Sequence, residues 1–213
     1  MTANVKDYKK EYKKLYQPKT APEMVEVGEM QFVAVEGRGN PNDENGEFGA
    51  AIKILYAIQY TIKMSKKGKT VPEGYFDYVV PPLEGFWTVE NKADLKDKSK
   101  FFWTAVIRLP EFVDKEIFDR ACNEVIHRKN INTEKAKYIR IKEGLCVQCM
   151  HIGPFDDEPA TIAKMEKFME ENNLANDITA TRHHHEIYLS DFRKTDASKL
   201  KTVLRIPVKR KEG

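Results

Sequence analysis

Apolar residues recur along the chain at two spacings, and these spacings predict its helices and strands. Between residues 47 and 64 they recur every three or four positions, which gives a helix one buried stripe. The same spacing predicts helices at 114–128, with Asp114 as a cap, and at 159–172, with Pro159 in the first turn. Short apolar or alternating runs predict strands at residues 31–35, 76–80, 101–109, 145–151, 185–190 and 203–208.

The predicted elements occur in the same order twice. A strand, a turn-rich passage, a helix and two strands are followed, after a linking helix, by the same series. We therefore expect an α+β fold of duplicated strand-helix-strand-strand units, with pseudo-twofold symmetry and a central ligand groove, because grooves between repeated halves are favoured ligand sites. Prolines 81 and 82 exclude the segment 80–87 from a central strand position. The expected organisation is a lead-in helix at 1–23, a single domain at 24–208 (first repeat about 24–110, linking helix about 112–130, second repeat about 138–208) and a basic tail at 209–213.

Composition and charge exclude several classes of function. Hydrophobic residues make up 41% of the 213 positions and charged residues 32%, which is ordinary for a globular protein. The balance of 36 basic and 33 acidic side chains gives no general attraction to nucleic acid. No apolar run approaches the roughly 20 residues that a membrane span needs, and the N-terminus lacks an apolar signal core. We expect a cytoplasmic monomer or homodimer that contacts neither membrane nor nucleic acid.

Two residue groups invite a metal or redox interpretation, and the strand pattern argues against both. Cys146 and Cys149 lie in a predicted strand, so their thiols project to opposite faces and structural thiols are the better interpretation. The run 183–185 consists of three histidines, but adjacent strand residues cannot converge on one ion. The segment Gly37-Arg-Gly39 lacks the third glycine of a dinucleotide fingerprint, and there is no P-loop. We expect no metal and no cofactor.

The segment 184–193 carries the most informative pattern for function. On a strand, Ile187 and Leu189 point to a core, while His184, Glu186 and Tyr188 share the opposite face. A carboxylate two residues from a phenol suits an aromatic-lined pocket for a cationic or polarisable small molecule. On pattern alone, an ordinary edge strand with a solvated glutamate is the more frequent arrangement.

Several segments together resemble the GyrI-like small-molecule-binding family, the effector-binding domain of multidrug-responsive regulators. The chain resembles in particular the stand-alone branch of cyclopropanoid cyclopropyl hydrolases, some members of which hydrolyse cyclopropanoid DNA-alkylating natural products. Each segment is a weak signal alone, and their joint order and spacing are specific. They lie at residues 32–39, 55–60, 80–87, 102–108, 148–159, 184–193 and 200–205.

The resemblance implies a groove ligand that is held by aromatic walls and one buried acid. Glu186 matches that acid and would act as general base on a water, while Tyr188 would donate a hydrogen bond to the developing phenolate. The implied ligands are flat aromatic or cationic small molecules. The ligand-binding candidates are Trp87 and Trp103, then Tyr78, Phe155 and Phe102, with His151 as a minor proton-shuttle candidate. For each aromatic residue the alternative is core packing, which is the more frequent outcome for Phe102, and for His151 it is a hydrogen bond to a turn.

Three functions of different classes remain open at this point. The first is a detoxifying hydrolase of electrophilic aromatic natural products. The second is a non-catalytic protein that sequesters or senses drugs in the same pocket, and the third is a protein-interaction module. A transcription-factor role is disfavoured, because the residues ahead of Met24 are too few for a helix-turn-helix domain.

Overall fold

The computed structural model describes residues 5–43, 45–68, 71–91, 94 and 96–211, and the chain divides into two compact units. Within these ranges, residues up to 11, 30–83 and 88–141 form the first unit, and residues 12–29, 84–87 and 142–211 form the second. Residues 1–4 of the expected lead-in helix and 212–213 of the expected basic tail lie outside the described residues. That residues 24–208 form a single domain stays a prediction.

Helices and antiparallel strands both occur in the described residues, which confirms the α+β class. The α-helices are α1 (Tyr8–Glu11), α2 (Lys13–Tyr16), α3 (Glu47–Met64), α4 (Lys115–Lys129) and α5 (Glu158–Glu171). The strands are β1 (Glu23–Arg38), β2 (Leu83–Thr88), β3 (Phe102–Arg108), β4 (Ala136–Ile152), β5 (Leu174–Asn176), β6 (His184–Tyr188) and β7 (Lys201–Arg210). The order strand-helix-strand-strand therefore occurs in β1-α3-β2-β3 and again in β4-α5-β6-β7, with the short β5 added in the second series.

In the first unit, α3 and α4 pack together beside an antiparallel pair of strands. The pair consists of the second half of β1 and β3, in a register that runs from Phe32 opposite Arg108 to Arg38 opposite Phe102. The α3 helix has the predicted bounds. The α4 helix begins after Asp114, whose carboxylate accepts a 2.8 Å hydrogen bond from the Ile117 amide, so the predicted cap is confirmed.

In the second unit, β7 is the central strand and pairs antiparallel with three others. It pairs with β4 from Cys146 opposite Pro207, with β6 from His185 opposite Arg205, and with β5 at the far end. The α5 helix covers one face of these strands. The core beneath it consists of buried apolar residues, namely Val147, Cys149, Met165, Met169, Leu174, Leu204, Ile206 and Val208.

Three predicted elements differ from the structure. Residues 76–80 are not a strand, because Tyr78 alone among them forms a bridge, an isolated one with Lys6. Side chains also hold this segment, and the amino group of Lys63 donates to the Tyr78 carbonyl. Residues 83–88 are a strand, because the two prolines precede β2 rather than interrupt it. The expected lead-in helix consists of two four-residue helices, between which Tyr12 leaves the helical region.

Candidate ligand-binding and catalytic site

The strand β6 presents the predicted polar face. His184, Glu186 and Tyr188 lie on one side and are half-buried, while His185 and Ile187 are fully buried on the other side. This alternation confirms the predicted division of the strand for residues 184–188. Leu189 lies beyond the end of the strand and is half-buried.

A hydrogen-bond relay joins the polar residues of β6 to Trp87 on β2. The Tyr188 hydroxyl donates to Glu186 Oε2 at 2.7 Å and accepts from the Trp87 indole Nε1–H at 3.1 Å. His184 Nε2 lies 3.3 Å from the other oxygen of Glu186. A phenol has one proton to give and lone pairs to accept with, so Tyr188 is oriented from both sides.

Gly85 leaves the space in which this relay forms. Along β2, Gly85 and Trp87 share one face, because they are two residues apart. A Cβ atom at Gly85 would lie 2.7 Å from Trp87 Nε1 and 3.2 Å from the Tyr188 hydroxyl oxygen. The 2.7 Å contact is shorter than Cβ atoms show in folded proteins and the 3.2 Å contact is tight, so a side chain at position 85 would force the indole or the strand to move.

Burial and negative charge keep the Tyr188 phenol protonated. Loss of water around the hydroxyl raises the pKa of Tyr188 well above its ordinary value, and the carboxylates of Glu186 and Glu158 raise it further. The Trp87 indole opposes this shift in pKa but does not outweigh it. Glu158 is buried at the first residue of α5. Tyr188 is therefore a hydrogen-bond donor at neutral pH.

Two phenylalanine rings contact the edges of Tyr188. Phe155, in a 3₁₀ turn before α5, packs edge-on with its centroid 5.7 Å from that of Tyr188. Phe192, in the turn after β6, packs 6.3 Å from Tyr188 and 6.2 Å from Phe155. Edge-to-face contacts at these distances are the favoured geometry of aromatic pairs. Phe192 is 37% exposed, so the ring cluster reaches the protein surface.

Sequence reasoning named Phe155, and it placed His184 on the face of Glu186 and Tyr188, but it did not name Phe192, Gly85 or Glu158 as site residues. Phe192 lies inside the segment 184–193 that was singled out, and its polar, turn-forming neighbours were the available signal. No local pattern indicates that Gly85 or Glu158 lies beside Tyr188, because neither is near it in sequence.

Three further candidates, Trp103, Phe102 and Tyr78, belong to the first unit. Trp103 is 3% exposed, packs edge-on against Phe48 at 5.0 Å and lies against Gly37. Tyr78 is buried, with its hydroxyl 3.2 Å from Gln59 Oε1. Phe102 is half-buried at the edge of a polar cavity. The ligand-binding role of all three stays a prediction.

His151 is held on both sides by its own surroundings. Its Nε2 lies 2.9 Å from the Pro154 carbonyl, and its Nδ1 lies 2.9 Å from the Thr161 hydroxyl. Since a carbonyl only accepts, Nε2 carries a proton, and Nδ1 is left to accept from Thr161 in the neutral tautomer. This is the turn-bonded arrangement that the sequence analysis gave as the alternative to a proton shuttle.

The two strand cysteines are buried, and their surroundings keep them as thiols. Burial and the charge of Glu143 raise the pKa of the Cys146 thiol to about 12. Burial also raises the pKa of Cys149, whose thiol points to the Thr20 carbonyl at 3.1 Å. Among the residues with described positions, no group of three or more histidine, cysteine, aspartate or glutamate side chains is placed to hold a metal ion. In the same residues, no helix combines the length and the apolar character needed to cross a bilayer.

A site in which an acid is hydrogen-bonded to a phenol beside three aromatic rings is typical of proteins that bind small aromatic molecules. Comparison with known proteins agrees with this class. The model of the GyrI-like small molecule binding domain matches residues 20–209, and the chain belongs to that family.

Three solved structures from Listeria innocua are similar to nearly the whole chain. One, described as a hydrolase, is 47% identical with a TM-score of 0.89, covering 96% of this chain and 100% of that chain. A second hydrolase is 49% identical with a TM-score of 0.90, covering 97% and 100%. An uncharacterized conserved protein is 50% identical with a TM-score of 0.91, covering 96% and 100%. No curated protein matches the chain.

Proposed function

We propose that this protein hydrolyses the cyclopropane ring of cyclopropanoid DNA-alkylating natural products and so protects against them. The observation that carries the proposal is the 2.7 Å hydrogen bond from Tyr188 to Glu186 beside the Trp87, Phe155 and Phe192 rings. It supplies a carboxylate and a phenolic proton within one aromatic-walled site. The protein would act in the cytoplasm, as a monomer or homodimer, and without a cofactor.

The reaction needs one proton removed and one proton supplied. A water oxygen bonds to the electrophilic ring carbon, the carbon–carbon bond of the cyclopropane breaks, and its electron pair moves through the conjugated dienone to the carbonyl oxygen. Glu186 takes the proton of the water as general base. The Tyr188 hydroxyl turns from Glu186 toward the ligand and gives its proton to the carbonyl oxygen, which becomes a phenol. The proton then returns from Glu186 to Tyr188 along the hydrogen bond that joins them, so both groups are restored.

The aromatic rings supply binding and geometry. A flat ligand that stacks on Trp87 and contacts Phe155 and Phe192 is shielded from bulk water, and its reactive carbon is held at a fixed position. Positioning of this kind accounts for a large share of rate enhancement when the electrophile is already strained. The similarity to the two Listeria innocua hydrolases, at 47% and 49% identity, supports a hydrolytic function.

The same residues also support a second function, which is binding without turnover. Tyr188 has its donor and acceptor capacity used by Glu186 and Trp87, so a ligand could be captured by the rings and the acid alone. Such a protein would sequester a drug stoichiometrically. It would not need the proton transfers described above.

Turnover of a cyclopropanoid alkylator separates the two functions. Purified protein is mixed with a many-fold excess of the compound, and the ring-opened product is followed by mass spectrometry. We expect many turnovers per protein, and a fall in kcat of about 10²–10⁴-fold in Glu186→Gln, which loses the general base. Glu166→Gln, an exposed glutamate on α5, is the matched control and should retain the native rate. Capture of one equivalent without product would establish the binder instead.

A further inference from the structure

On the face of β6 opposite Glu186 and Tyr188, a histidine lies between two glutamates. His185 Nδ1 is 3.0 Å from Glu143 Oε2 and forms a hydrogen bond with it. His185 Nε2 is 3.0 Å from Glu84 Oε2, but the pair lacks the alignment of a hydrogen bond and is an ion pair only. The imidazole is fully buried, and neither carboxylate side chain is more than 4% exposed. The contact with Glu84 therefore depends on a positive charge on the ring.

Arg205 completes a buried quartet, defined here as Glu84, Glu143, His185 and Arg205. Its NH1 lies 2.7 Å from Glu143 Oε1, and its NH2 donates to the Leu15 carbonyl at 2.9 Å. With both glutamates ionised, the quartet has two negative charges and one permanent positive charge, and a proton on His185 makes it neutral. An uncompensated charge in such a place is strongly destabilising.

The carboxylates decide the protonation of the ring. Burial alone would favour neutral imidazole, but the charges of Glu143 and Glu84 and the hydrogen bond to Glu143 outweigh it and raise the pKa of His185. Arg205 NH1, 3.4 Å from His185 Nδ1, faces the ring from β7, and Tyr16 of α2 donates to Glu84 at 3.2 Å. On β6 itself, His184 and Glu186 point to the other face.

The quartet and the candidate site share the same two strands, β2 and β6, which are neighbours. On one face, Glu84 pairs with His185, and the Phe86 ring stacks on the imidazole with centroids 4.0 Å apart. On the other face, Trp87 donates to Tyr188. Because side chains alternate along each strand, the contacts on the buried face set how close the Trp87 indole stands to Tyr188.

We propose that His185 is a positioning residue for this site. Its protonated ring holds β2 against β6 and so maintains the hydrogen bonds from Trp87 to Tyr188 and from Tyr188 to Glu186. When the ring loses its proton, Glu84 remains buried beside a neutral group with no hydrogen bond to it. The ion pair between β2 and β6 is then lost, and the relay on the opposite face loosens. The activity arm of this inference rests on the proposed hydrolase function, while its spectroscopic arm does not.

Trp87 emission reports the relay without any ligand. Emission is recorded against pH in a Trp103→Phe background, where Trp87 is the only tryptophan, and kcat and KM for ring opening are recorded in the native sequence. We expect one transition in emission at a pH above 6.5, accompanied by a fall in kcat at the same pH with KM nearly unchanged. Glu143→Gln removes one of the two charges that hold the proton but keeps the Glu84 partner on β2, so both transitions should move to lower pH.

Two further variants make the result decisive. His185→Gln should remove the transition, and Val208→Ala, a core substitution in the same unit, should lower Tm but leave the transition where it is. If His185 had only a structural role, the Tm values would follow the same pattern, but Glu143→Gln would not move the transition. The inference is overturned if that variant leaves the transition in place, or if emission stays constant up to the pH of global unfolding. A shifted emission transition in a protein that turns over no cyclopropanoid supports the inference and removes only the hydrolase proposal.

Discussion

The Trp87 indole nitrogen lies 3.1 Å from the Tyr188 hydroxyl oxygen, although 101 positions separate the two residues. This hydrogen bond occupies a lone pair of the phenol and directs its proton to Glu186. In the proposed hydrolase, the effect of this hydrogen bond on catalysis is therefore separable from the stacking of a ligand on the indole.

Trp87→Phe keeps a flat ring and removes the donor. A hydrogen bond of this kind contributes about 1 kcal/mol, which corresponds to a fall in kcat of roughly fivefold to tenfold. The Kd of an aromatic ligand should stay within about twofold, because most of the stacking area is retained. Steady-state kinetics with ligand titration checks this, and Trp87→Ala, which loses both ring and donor, should weaken binding as well. Equal losses of binding in the two variants would show that the hydrogen bond has no separate role.

Gly85→Ala should damage the site through a steric clash. The added methyl group would lie 2.7 Å from Trp87 Nε1, so the indole must leave Tyr188 or β2 must shift. We expect a loss of about 1–3 kcal/mol in the free energy of unfolding, typical of overpacking, together with weaker ligand binding. Urea unfolding and ligand titration measure the two effects. Gly28→Ala is the matched control, because a Cβ atom there has no neighbour within 4 Å.

The helices were largely predictable from local signals. The α3 stripe has clear ends, and Asp114 caps α4 as its position before an apolar stripe indicates. The β2 strand was missed because Leu83 to Trp87 are buried on both faces, so the polar alternation of a half-exposed strand is absent. The two prolines before it were interpreted as a break within the ladder, whereas they mark its beginning.

The site was predictable only in part, for a physical reason. Alternation within one strand places Glu186 and Tyr188 on the same face without any knowledge of the fold. The partners of that face come from elsewhere in the chain, and their approach depends on tertiary packing. His185 shows this most clearly, since alternation places it on the face of Ile187, but its two glutamates are 101 and 42 residues away.

Stability should fall in acid because of Glu143. Burial opposes its ionisation, but His185 and Arg205 outweigh burial and lower the pKa of Glu143 from 4.5 to about 2. A lowered folded-state pKa contributes stability above the unfolded value that is lost as pH falls through the folded value, here of order 3 kcal/mol. The raised pKa of His185 has the opposite sign, so its contribution is complete below 6.5 and is lost as pH rises through the higher folded-state pKa.

The difference in the free energy of unfolding between the protein and Glu143→Gln measures the acid effect. This difference should be largest near pH 5. It should become smaller as pH falls from 4.5 to about 2, where the native carboxylate takes up its proton. Urea unfolding at a series of pH values provides the data, with the exposed Glu166→Gln as the control for the loss of a glutamate charge. A difference that is independent of pH would contradict the buried ion-pair role of Glu143.

Phe192 should determine affinity rather than rate. Its ring contacts Phe155 and Tyr188 but makes no contact with the acid, and at 37% exposure it contributes little to the core. An aromatic contact is worth about 0.5–1.5 kcal/mol, so Phe192→Ala should raise the KM or Kd of a flat aromatic ligand by roughly twofold to tenfold with kcat and Tm nearly unchanged. Ile178→Ala removes a comparably exposed apolar side chain from the same unit and should leave affinity intact. If both variants bind like the native protein, the ligand does not reach the outer rings, and the site must be confined to Trp87, Tyr188 and Glu186.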